Sequence, residues 1–323
     1  MQTYQGYGFG KTILFGEHFV VHGLPGIASA LQQTLTAHVK KSNTGKHVTV
    51  DNTIKFKNTK IQNFTTEMAL PRIAVITNLL KINTPLHITF GGALKIANNG
   101  MGASAANLVA LARALNTMFK LNLTNEQINN AAYEGEKIDH GTPSGIDNTA
   151  ATYGGTFLFE RNKSVRRNPS TGSGRTGAMI TPINLKQPIE IVLAESGKST
   201  PTKTVINSVK KLKEEKPKYV EEIFKNYSAL VKNAYIALQN FDTKMVGSLM
   251  DENHELLKQL NVSCKELDKM VLIAKNVGAL GAKLTGTGRG GLIVALTPEK
   301  NLQNKVSQAL EQKGFETLKT TIQ

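Results

Sequence analysis

Hydrophobic and polar residues alternate over short stretches in the first half of the chain, and glycine-rich turns separate these stretches. Thr12 to Phe15 and Thr34 to Lys40 have the spacing of strands, and the second is typical of a half-buried strand. From Ser104 to Phe119 the spacing becomes that of a helix. Its hydrophobic face carries Leu108, Leu111, Ala112, Leu115 and Phe119. The pattern predicts a strand-rich first half with one long helix directly after a glycine-rich segment.

A second helix is predicted from its first turn. The sequence Thr124-Asn-Glu-Gln127 matches a capping box, in which side chains and backbone at the helix start bond reciprocally. We expect this helix to run to about Ile138, because Gly141 and Pro143 would end it.

The second half of the chain has mainly helical spacing. Amphipathic helices are predicted at 202–215, 219–240, 242–260 and 264–277, followed by two strands within 282–296, a further helix and a last strand. Both halves therefore mix helices with strands, and 323 residues suffice for about two domains. We predict an α+β protein with an N-terminal domain at 1–181 and a C-terminal domain at 182–323.

The chain is strongly basic, since 39 Lys and Arg residues against 24 Asp and Glu residues give a formal charge of +15. This excess points to an anionic partner: nucleic acid, a membrane surface or a nucleotide. Nucleic-acid binding calls for aromatic residues among clustered basic ones, whereas this chain has no Trp and 6% aromatic residues. The basic run at 161–181 is expected to be a solvated, flexible loop, with contact to a nucleotide or to nucleic acid as the alternative. We expect no nucleic-acid partner.

Cysteine content and hydrophobic runs bear on the cellular compartment. Cys264 is the only cysteine, so no intramolecular disulfide can form, and a reducing cytosol is the simplest expectation. No apolar stretch approaches the ~20 residues of a membrane span. Lys11, Glu17 and His18 interrupt the N-terminus where a secretory signal would need an apolar core. We expect a cytoplasmic protein without a membrane partner.

The central glycine-rich segment, Asn98 to Ala106, opens into the helix predicted at Ser104. Glycines let the backbone turn tightly, and a helix N-terminus carries partial positive charge, so this segment suits a phosphate group. Ser104 adds a hydroxyl for a metal ion or a phosphate oxygen. Plain helix capping is the alternative, and a Walker loop is excluded because no Lys follows the glycines.

Two carboxylates flank a turn that is broken by glycine and proline. Glu136 lies near the end of the second predicted helix, and Asp147 follows eleven residues later. One of them could hold Mg²⁺, which prefers oxygen ligands, while the other faces a hydroxyl group. In the alternative interpretation Glu136 is a surface residue and Asp147 a helix cap.

Two further segments carry candidate chemistry. Lys283 to Gly291 has four glycines between two β-like runs, which suggests close approach of the backbone to a ligand or to another loop. A wide glycine hairpin would also account for it. In the opening segment, Lys11 precedes an apolar strand and Glu17-His18 follows it. Lys11 is either a surface residue or a candidate for neutralising anionic charge.

Together these segments resemble the three motifs of the GHMP kinases, a group that includes galactokinase and the kinases of homoserine, mevalonate and phosphomevalonate. Within that group, Glu17-His18 and the segment His140-Gly-Thr-Pro-Ser-Gly-Ile-Asp-Asn148 look most like the mevalonate kinase family. The resemblance spans nearly the whole chain, in order and at the family's spacing. It implies a two-domain GHMP kinase fold with the active site in the cleft between domains. It also implies ATP-dependent phosphorylation of the C5 hydroxyl of mevalonate, with Mg²⁺, in isoprenoid biosynthesis.

The resemblance assigns roles to individual residues. Lys11 corresponds to a lysine beside the reacting hydroxyl, and Asp147 to the proposed general base or orienting carboxylate. Ser104 and Glu136 correspond to Mg²⁺ ligands. The residues expected to bind the substrate are Glu17, His18, Gly145 and Thr202. The residues expected to wrap the ATP phosphates are Asn99, Gly100, Met101, Gly102, Ala103, Ser104, Ala105 and Ala106.

The chain departs from the common pattern at two points. The nucleotide loop has Ala103 where many members carry a second serine, so Ser104 alone would serve the metal. Arg289 interrupts the last glycine run and is expected either to contact a phosphate or to face solvent. The rival predictions are a phosphomevalonate or homoserine kinase of the same group, and a basic nucleic-acid-binding protein. We expect a monomer or a homodimer.

Overall fold

The computed structural model describes residues 2–43, 48–52, 66–93, 100–141, 143–161 and 178–323. The first ten elements are β1 (Tyr4–Phe15), β2 (Gly26–Lys41), β3 (Val48–Asn52), α1 (Thr66–Leu79), β4 (Leu86–Gly92), α2 (Ala103–Phe119), α3 (Asn125–His140), α4 (Ile146–Tyr153), β5 (Thr156–Arg161) and β6 (Ala178–Ile183). The remaining elements are β7 (Ile189–Glu195), α5 (Thr202–Glu215), α6 (Pro217–Gln239), α7 (Thr243–Gln259), α8 (Lys265–Asn276), β8 (Gly281–Thr285), β9 (Leu292–Leu296), α9 (Lys300–Glu311) and β10 (Glu316–Ile322). The predicted mixture of helices and strands in both halves is confirmed.

The first sheet is built around β2, a strand of 16 residues. Strand β1 runs antiparallel along one edge of β2, while β4 and β5 pair with the two ends of its other edge. Strand β3 adds to β4 in parallel, and β6 adds to β5 antiparallel. The sheet order among the described strands is therefore β3-β4-β2-β5-β6, and β1 pairs with the edge of β2 opposite to β4 and β5.

Strand β1 is longer than predicted, because its glycines serve packing against α2. A Cβ atom at Gly6 would lie 2.1 Å from the backbone oxygen of Ala110, and one at Gly8 would lie 2.2 Å from that of Ala106. No real side chain fits at such distances, so only glycine lets strand and helix approach this closely. Helix α2 is correspondingly buried on nearly every side over Ala105–Ala112. This contact fixes the helix that follows the central glycine segment onto the strand that carries Lys11.

The predicted capping box is confirmed. The Thr124 hydroxyl accepts from the Gln127 backbone N–H at 3.3 Å, and the Gln127 side chain accepts from the Thr124 N–H at 2.8 Å. Helix α3 then runs to His140, two residues beyond the predicted end. Helices α5 to α8 also begin and end within two residues of the predicted limits.

Two helices of the first half lie outside the sequence prediction. Helix α1 contains an internal Pro71, a residue that sequence patterns associate with helix breaks. Helix α4 spans only eight residues after the Gly/Pro turn, with Gly145 as its N-cap and Asp147 in its first turn. Asp147 is therefore a helical residue and not a cap.

The second sheet is antiparallel throughout, with the strand order β10-β7-β9-β8. The two halves share one hydrophobic core, and polar contacts link them as well. The Thr285 hydroxyl accepts from the Ile13 backbone N–H at 3.1 Å, and the Thr320 hydroxyl donates to the Gln33 side chain at 2.6 Å. These bonds tie β1 and β2 to strands of the second half.

The predicted division after residue 181 falls inside β6, and the second sheet begins with β7 at Ile189. The two-domain division therefore stays a prediction. Most of the basic run at 161–181 lies outside the described residues. Within the described part of the chain, no helix is long and apolar enough to cross a membrane.

Candidate active site

Lys11 and Asp147 form an ion pair at the centre of the candidate site. Nζ of Lys11 lies 3.1 Å from Oδ1 of Asp147, and the two side chains are 4% and 36% exposed. Lys11 follows an irregularity in the pairing of β1 with β2, and its backbone N–H donates to the carbonyl of Met101 at 2.9 Å. The pair thus joins β1, α4 and the glycine segment before α2. Its carboxylate is accessible while its ammonium group is covered.

Gly102 lies directly beside this pair. A Cβ atom there would lie 2.9 Å from Cγ of Lys11 and 3.7 Å from Cβ of Asp147. Its φ of 66° also belongs to the left-handed region, which side chains disfavour. The position therefore needs glycine both for its conformation and for the space that Lys11 occupies.

The N-terminus of α2 offers backbone N–H groups beside the ion pair. Gly102 is the N-cap, no described side chain accepts a hydrogen bond at this end, and the first turn holds no acidic residue. A helix start of this kind keeps unsatisfied donors and partial positive charge, which suit a phosphate group. Of the predicted loop residues, Gly100, Gly102, Ala103 and Ser104 are half-buried, whereas Met101, Ala105 and Ala106 pack into the core. Asn99 lies outside the described residues.

Ser104 and Glu136 meet across α2 and α3. The Ser104 hydroxyl donates to Oε1 of Glu136 at 2.5 Å, and Glu136 is almost fully buried. A hydroxyl and a carboxylate form the kind of oxygen pair that Mg²⁺ accepts, with water and phosphate oxygens as its other ligands. Nowhere in the described ranges do three His, Cys, Asp or Glu side chains converge as a metal cage. The Ser104 hydroxyl and the Glu136 carboxylate alone fit a cation whose other ligands are water and phosphate oxygens.

Arg72 is a residue of this site that the sequence analysis missed. It projects from α1, is only 4% exposed, and donates from Nη1 to the Ser104 hydroxyl at 3.0 Å. Its Nη2 pairs with Asp139, which lies three residues after Glu136 on α3. A signal existed in the sequence, because Arg72 is the only charged residue between Met68 and Leu80. An arginine buried in such a stretch requires a carboxylate partner.

Glu17 is fully buried, and its partner comes from the third glycine-rich segment. Nζ of Lys283 lies 2.5 Å from Oε1 of Glu17, and both side chains are 0% exposed. Burial raises the pKa of Glu17 and lowers the pKa of Lys283, because the charged form of each side chain is desolvated. The attraction between the two charges opposes both shifts. Glu17 thus lies behind the accessible surface and joins the two halves of the chain.

His18 and Thr202 converge on Thr287. Nε2 of His18 lies 2.6 Å from the carbonyl oxygen of Thr287, and the hydroxyls of Thr202 and Thr287 are 3.0 Å apart. Burial lowers the pKa of His18 to about 4, so the ring is neutral at pH 7 and Nε2 carries the proton that it donates to the carbonyl. Thr202 is exposed at the start of α5. The third glycine segment therefore brings His18 and Thr202 to one place.

The third glycine segment also abuts the central one. A Cβ atom at Gly286 would lie 2.9 Å from Cα of Gly100, so the two segments touch backbone to backbone. This close approach to another loop is what the glycine count suggested. Arg289 turns elsewhere: its Nε donates to the carbonyl of Asn261 at 2.8 Å and its backbone N–H to that of Val262 at 2.7 Å. It holds the α7–α8 connection, and the two predicted roles of its guanidinium stay predictions.

Gly145 precedes Asp147 by two residues and starts α4. Its φ of 93° is left-handed, and a Cβ atom there would lie 3.5 Å from the Phe159 ring. Its place in the structure is thus to turn the chain so that Asp147 reaches Lys11.

Two family models match the chain, and they define its class. The model described as GHMP kinases N terminal domain matches residues 72–155, and that described as GHMP kinases C terminal matches residues 234–316. The fold is accordingly the α+β fold of a GHMP kinase. The two models cover the glycine segment before α2, Glu136 and Asp147 on one side, and the segment from Lys283 to Gly291 on the other.

The similar proteins narrow this class. Mevalonate kinases of Thermococcus gammatolerans and Thermococcus sibiricus are 31% and 32% identical, and each comparison covers 97% of this chain and 94% of the relative. A crystal structure of L. major mevalonate kinase in complex with R-mevalonate is 35% identical, with a TM-score of 0.88 over 99% of this chain and 95% of that one. The chain belongs to the mevalonate kinase family.

Proposed function

We propose that this protein transfers the γ-phosphoryl group of ATP to the C5 hydroxyl of mevalonate and releases 5-phosphomevalonate and ADP. The observation that carries the proposal is the Lys11–Asp147 pair, 3.1 Å apart, directly beside the uncapped start of α2. A hydroxyl bound at Asp147 would lie next to a site for phosphate. The similarity to a solved mevalonate kinase that holds R-mevalonate supports the choice of substrate.

The chemistry follows from what phosphoryl transfer requires. The reaction depends mainly on positioning the nucleophile and on stabilising negative charge that spreads over the transferring group. Asp147 accepts a hydrogen bond from the C5 hydroxyl, directs its oxygen toward the phosphorus and receives the hydroxyl proton as the O–P bond forms. The ammonium group of Lys11 neutralises charge on the transferring oxygens. Because Lys11 is covered and held by Asp147, its position costs little reorganisation during the reaction.

The nucleotide phosphates bind at Gly100, Gly102, Ala103 and Ser104, where the backbone N–H groups and the dipole of the α2 N-terminus face them. Ser104 and Glu136 would hold Mg²⁺, since a hydroxyl and a carboxylate oxygen lie together there. When bound, the cation neutralises phosphate charge and orients the phosphoryl group. Met101, Ala105 and Ala106 support this loop from the core.

The mevalonate end of the site lies at Thr287. His18 and Thr202 both contact this residue, and they offer a neutral imidazole and a hydroxyl to a polar substrate. Glu17 and Gly145 do not contact the substrate directly. Glu17 holds the neighbouring His18 in place, and Gly145 positions Asp147. Substrate discrimination is therefore assigned to the loops that carry His18, Thr202 and Thr287.

The proposal is tested by ADP release with mevalonate, phosphomevalonate and homoserine as alternative acceptors. We expect activity with mevalonate, and activity with none of the three overturns the proposal. Asp147→Asn should lower kcat by about 10²- to 10⁴-fold with KM for mevalonate nearly unchanged, because the amide keeps the shape but cannot receive the proton. The control is Glu222→Gln, an exposed carboxylate on α6. A turnover of Asp147→Asn within a few-fold of the control removes Asp147 from the mechanism.

A further inference from the structure

Arg72 lies where a buried cation is unexpected, against the oxygen pair assigned to Mg²⁺. A positive charge there opposes the binding of a divalent cation. The guanidinium is nevertheless held on two sides, by the Ser104 hydroxyl at 3.0 Å and by the carboxylate of Asp139. Its position therefore calls for an explanation beyond packing.

The charges on α3 supply one. Glu136 and Asp139 are three residues apart on this helix, so they share one face and present two carboxylates in the same direction. With Arg72 the three side chains have a formal charge of +1 − 2 = −1, and without it they would have −2. Two carboxylates and a hydroxyl would attract a hard divalent cation even when no nucleotide is present.

The Ser104 hydroxyl is constrained at the same time. Its hydrogen is directed to Glu136 and one lone pair accepts from Arg72, which leaves one lone pair for a further ligand. The direction in which this oxygen can bind a cation is thereby limited. Arg72 thus acts on both the charge and the geometry of the oxygen pair.

We propose that Arg72 is a positioning residue that withholds Asp139 from the cation and orients Ser104, so that the divalent cation binds well only together with the nucleotide phosphates. This inference rests on the proposed function, which places the cation at Ser104 and Glu136. Asp139, with a side chain 29% exposed, is the ligand that the cation would otherwise recruit.

The test measures the binding of Mn²⁺, used in place of Mg²⁺, to the full chain without nucleotide, by the loss of the free-ion signal in electron paramagnetic resonance. Arg72→Met raises the local negative charge, so Mn²⁺ should bind about tenfold more tightly. Asp139→Asn leaves Arg72 uncompensated, so Mn²⁺ should bind about tenfold more weakly. The double variant restores the net charge of −1 and should return to nearly the wild-type affinity. Glu222→Gln is the control for a remote carboxylate.

Unchanged Mn²⁺ affinity in Arg72→Met overturns the inference, and so does a double variant that binds as tightly as Arg72→Met, since Asp139 is then not the recruited ligand. Circular dichroism checks that each variant folds. If Arg72→Met does not fold, the Asp139→Asn variant decides alone: Mn²⁺ binding as tight as in the wild type overturns the inference. ADP release by the wild type separates the two proposals. If the wild type is active but all variants bind Mn²⁺ with the same affinity, only the role of Arg72 is rejected. If the wild type is inactive, the proposed function is rejected.

Discussion

Replacing Lys283 by Met would leave the Glu17 carboxylate without its partner in a fully buried position. At 2.5 Å and an effective dielectric constant near 20, the attraction between the two charges is about 7 kcal/mol, and the loss of water around both offsets much of it. Removing one member of such a pair costs about 3–5 kcal/mol, because the remaining charge stays buried and unpaired. We therefore expect Lys283→Met to lower the free energy of unfolding by that amount at pH 7.

Urea unfolding followed by circular dichroism measures this loss, since the chain has no Trp for fluorescence. The double variant Glu17→Gln with Lys283→Met removes both charges of this buried pair and should recover most of the lost stability. The Lys283→Met variant should also be less destabilised at pH 5 than at pH 7. Burial raises the pKa of Glu17 in the folded state, so stability is kept at low pH and lost as the carboxylate ionises with rising pH.

Lys198→Met is the matched control. Lys198 pairs with Glu266 at 2.6 Å, but the side chains are 59% and 32% exposed, and exposed pairs of this kind contribute little to stability. Equal effects of Lys283→Met and Lys198→Met would refute the reasoning, as would a double variant no more stable than Lys283→Met alone.

Two further predictions concern His18 and Gly102. The pKa of His18 is lowered to about 4 in the folded state, so the free energy of unfolding should fall by about 3 kcal/mol as the pH drops from 6.5 to 4. Urea unfolding of His18→Asn should lack this part of the pH dependence. Asn is chosen because it tolerates the left-handed backbone at this position. Equal slopes in the two proteins would contradict this. Gly102→Ala should displace Lys11 from Asp147 and lower kcat at least tenfold, as measured by ADP release. The control Gly314→Ala is also at positive φ but has open space around it, so it should keep wild-type turnover.

Elements with local signals could be predicted from the sequence. The capping box at Thr124 and the amphipathic spacing of α5 to α8 depend on residues a few positions apart, and these helices begin and end close to the predicted limits. Helix α1 could not be predicted in this way, because Pro71 interrupts a stretch that is apolar nearly all round. The extension of β1 was missed because its glycines, which normally weaken a strand, fit the surface of α2.

In the candidate site, too, residues with a local sequence signal could be predicted, and their distant partners could not. Lys11, Ser104, Glu136 and Asp147 were selected for their residue types near glycine-rich turns, and the resemblance supplied their roles. The structure brings them together in two pairs beside Gly102. Their roles stay predictions. The partners of these residues were beyond local patterns: Lys283 is 266 residues from Glu17, and Arg72 is 32 residues from Ser104. Contacts at such separations are created by the fold.

The glycine contacts between β1 and α2 have a consequence for engineering. Strand β1, which carries Lys11, and helix α2, which follows the central glycine segment, are held together by backbone packed on backbone at Gly6 and Gly8, which leaves no side chains there to exchange. Libraries aimed at new acceptor alcohols should therefore leave this seam untouched. Sequence variation belongs at Thr202 and Thr287, the residues proposed to face the substrate, where side chains meet through hydroxyl groups.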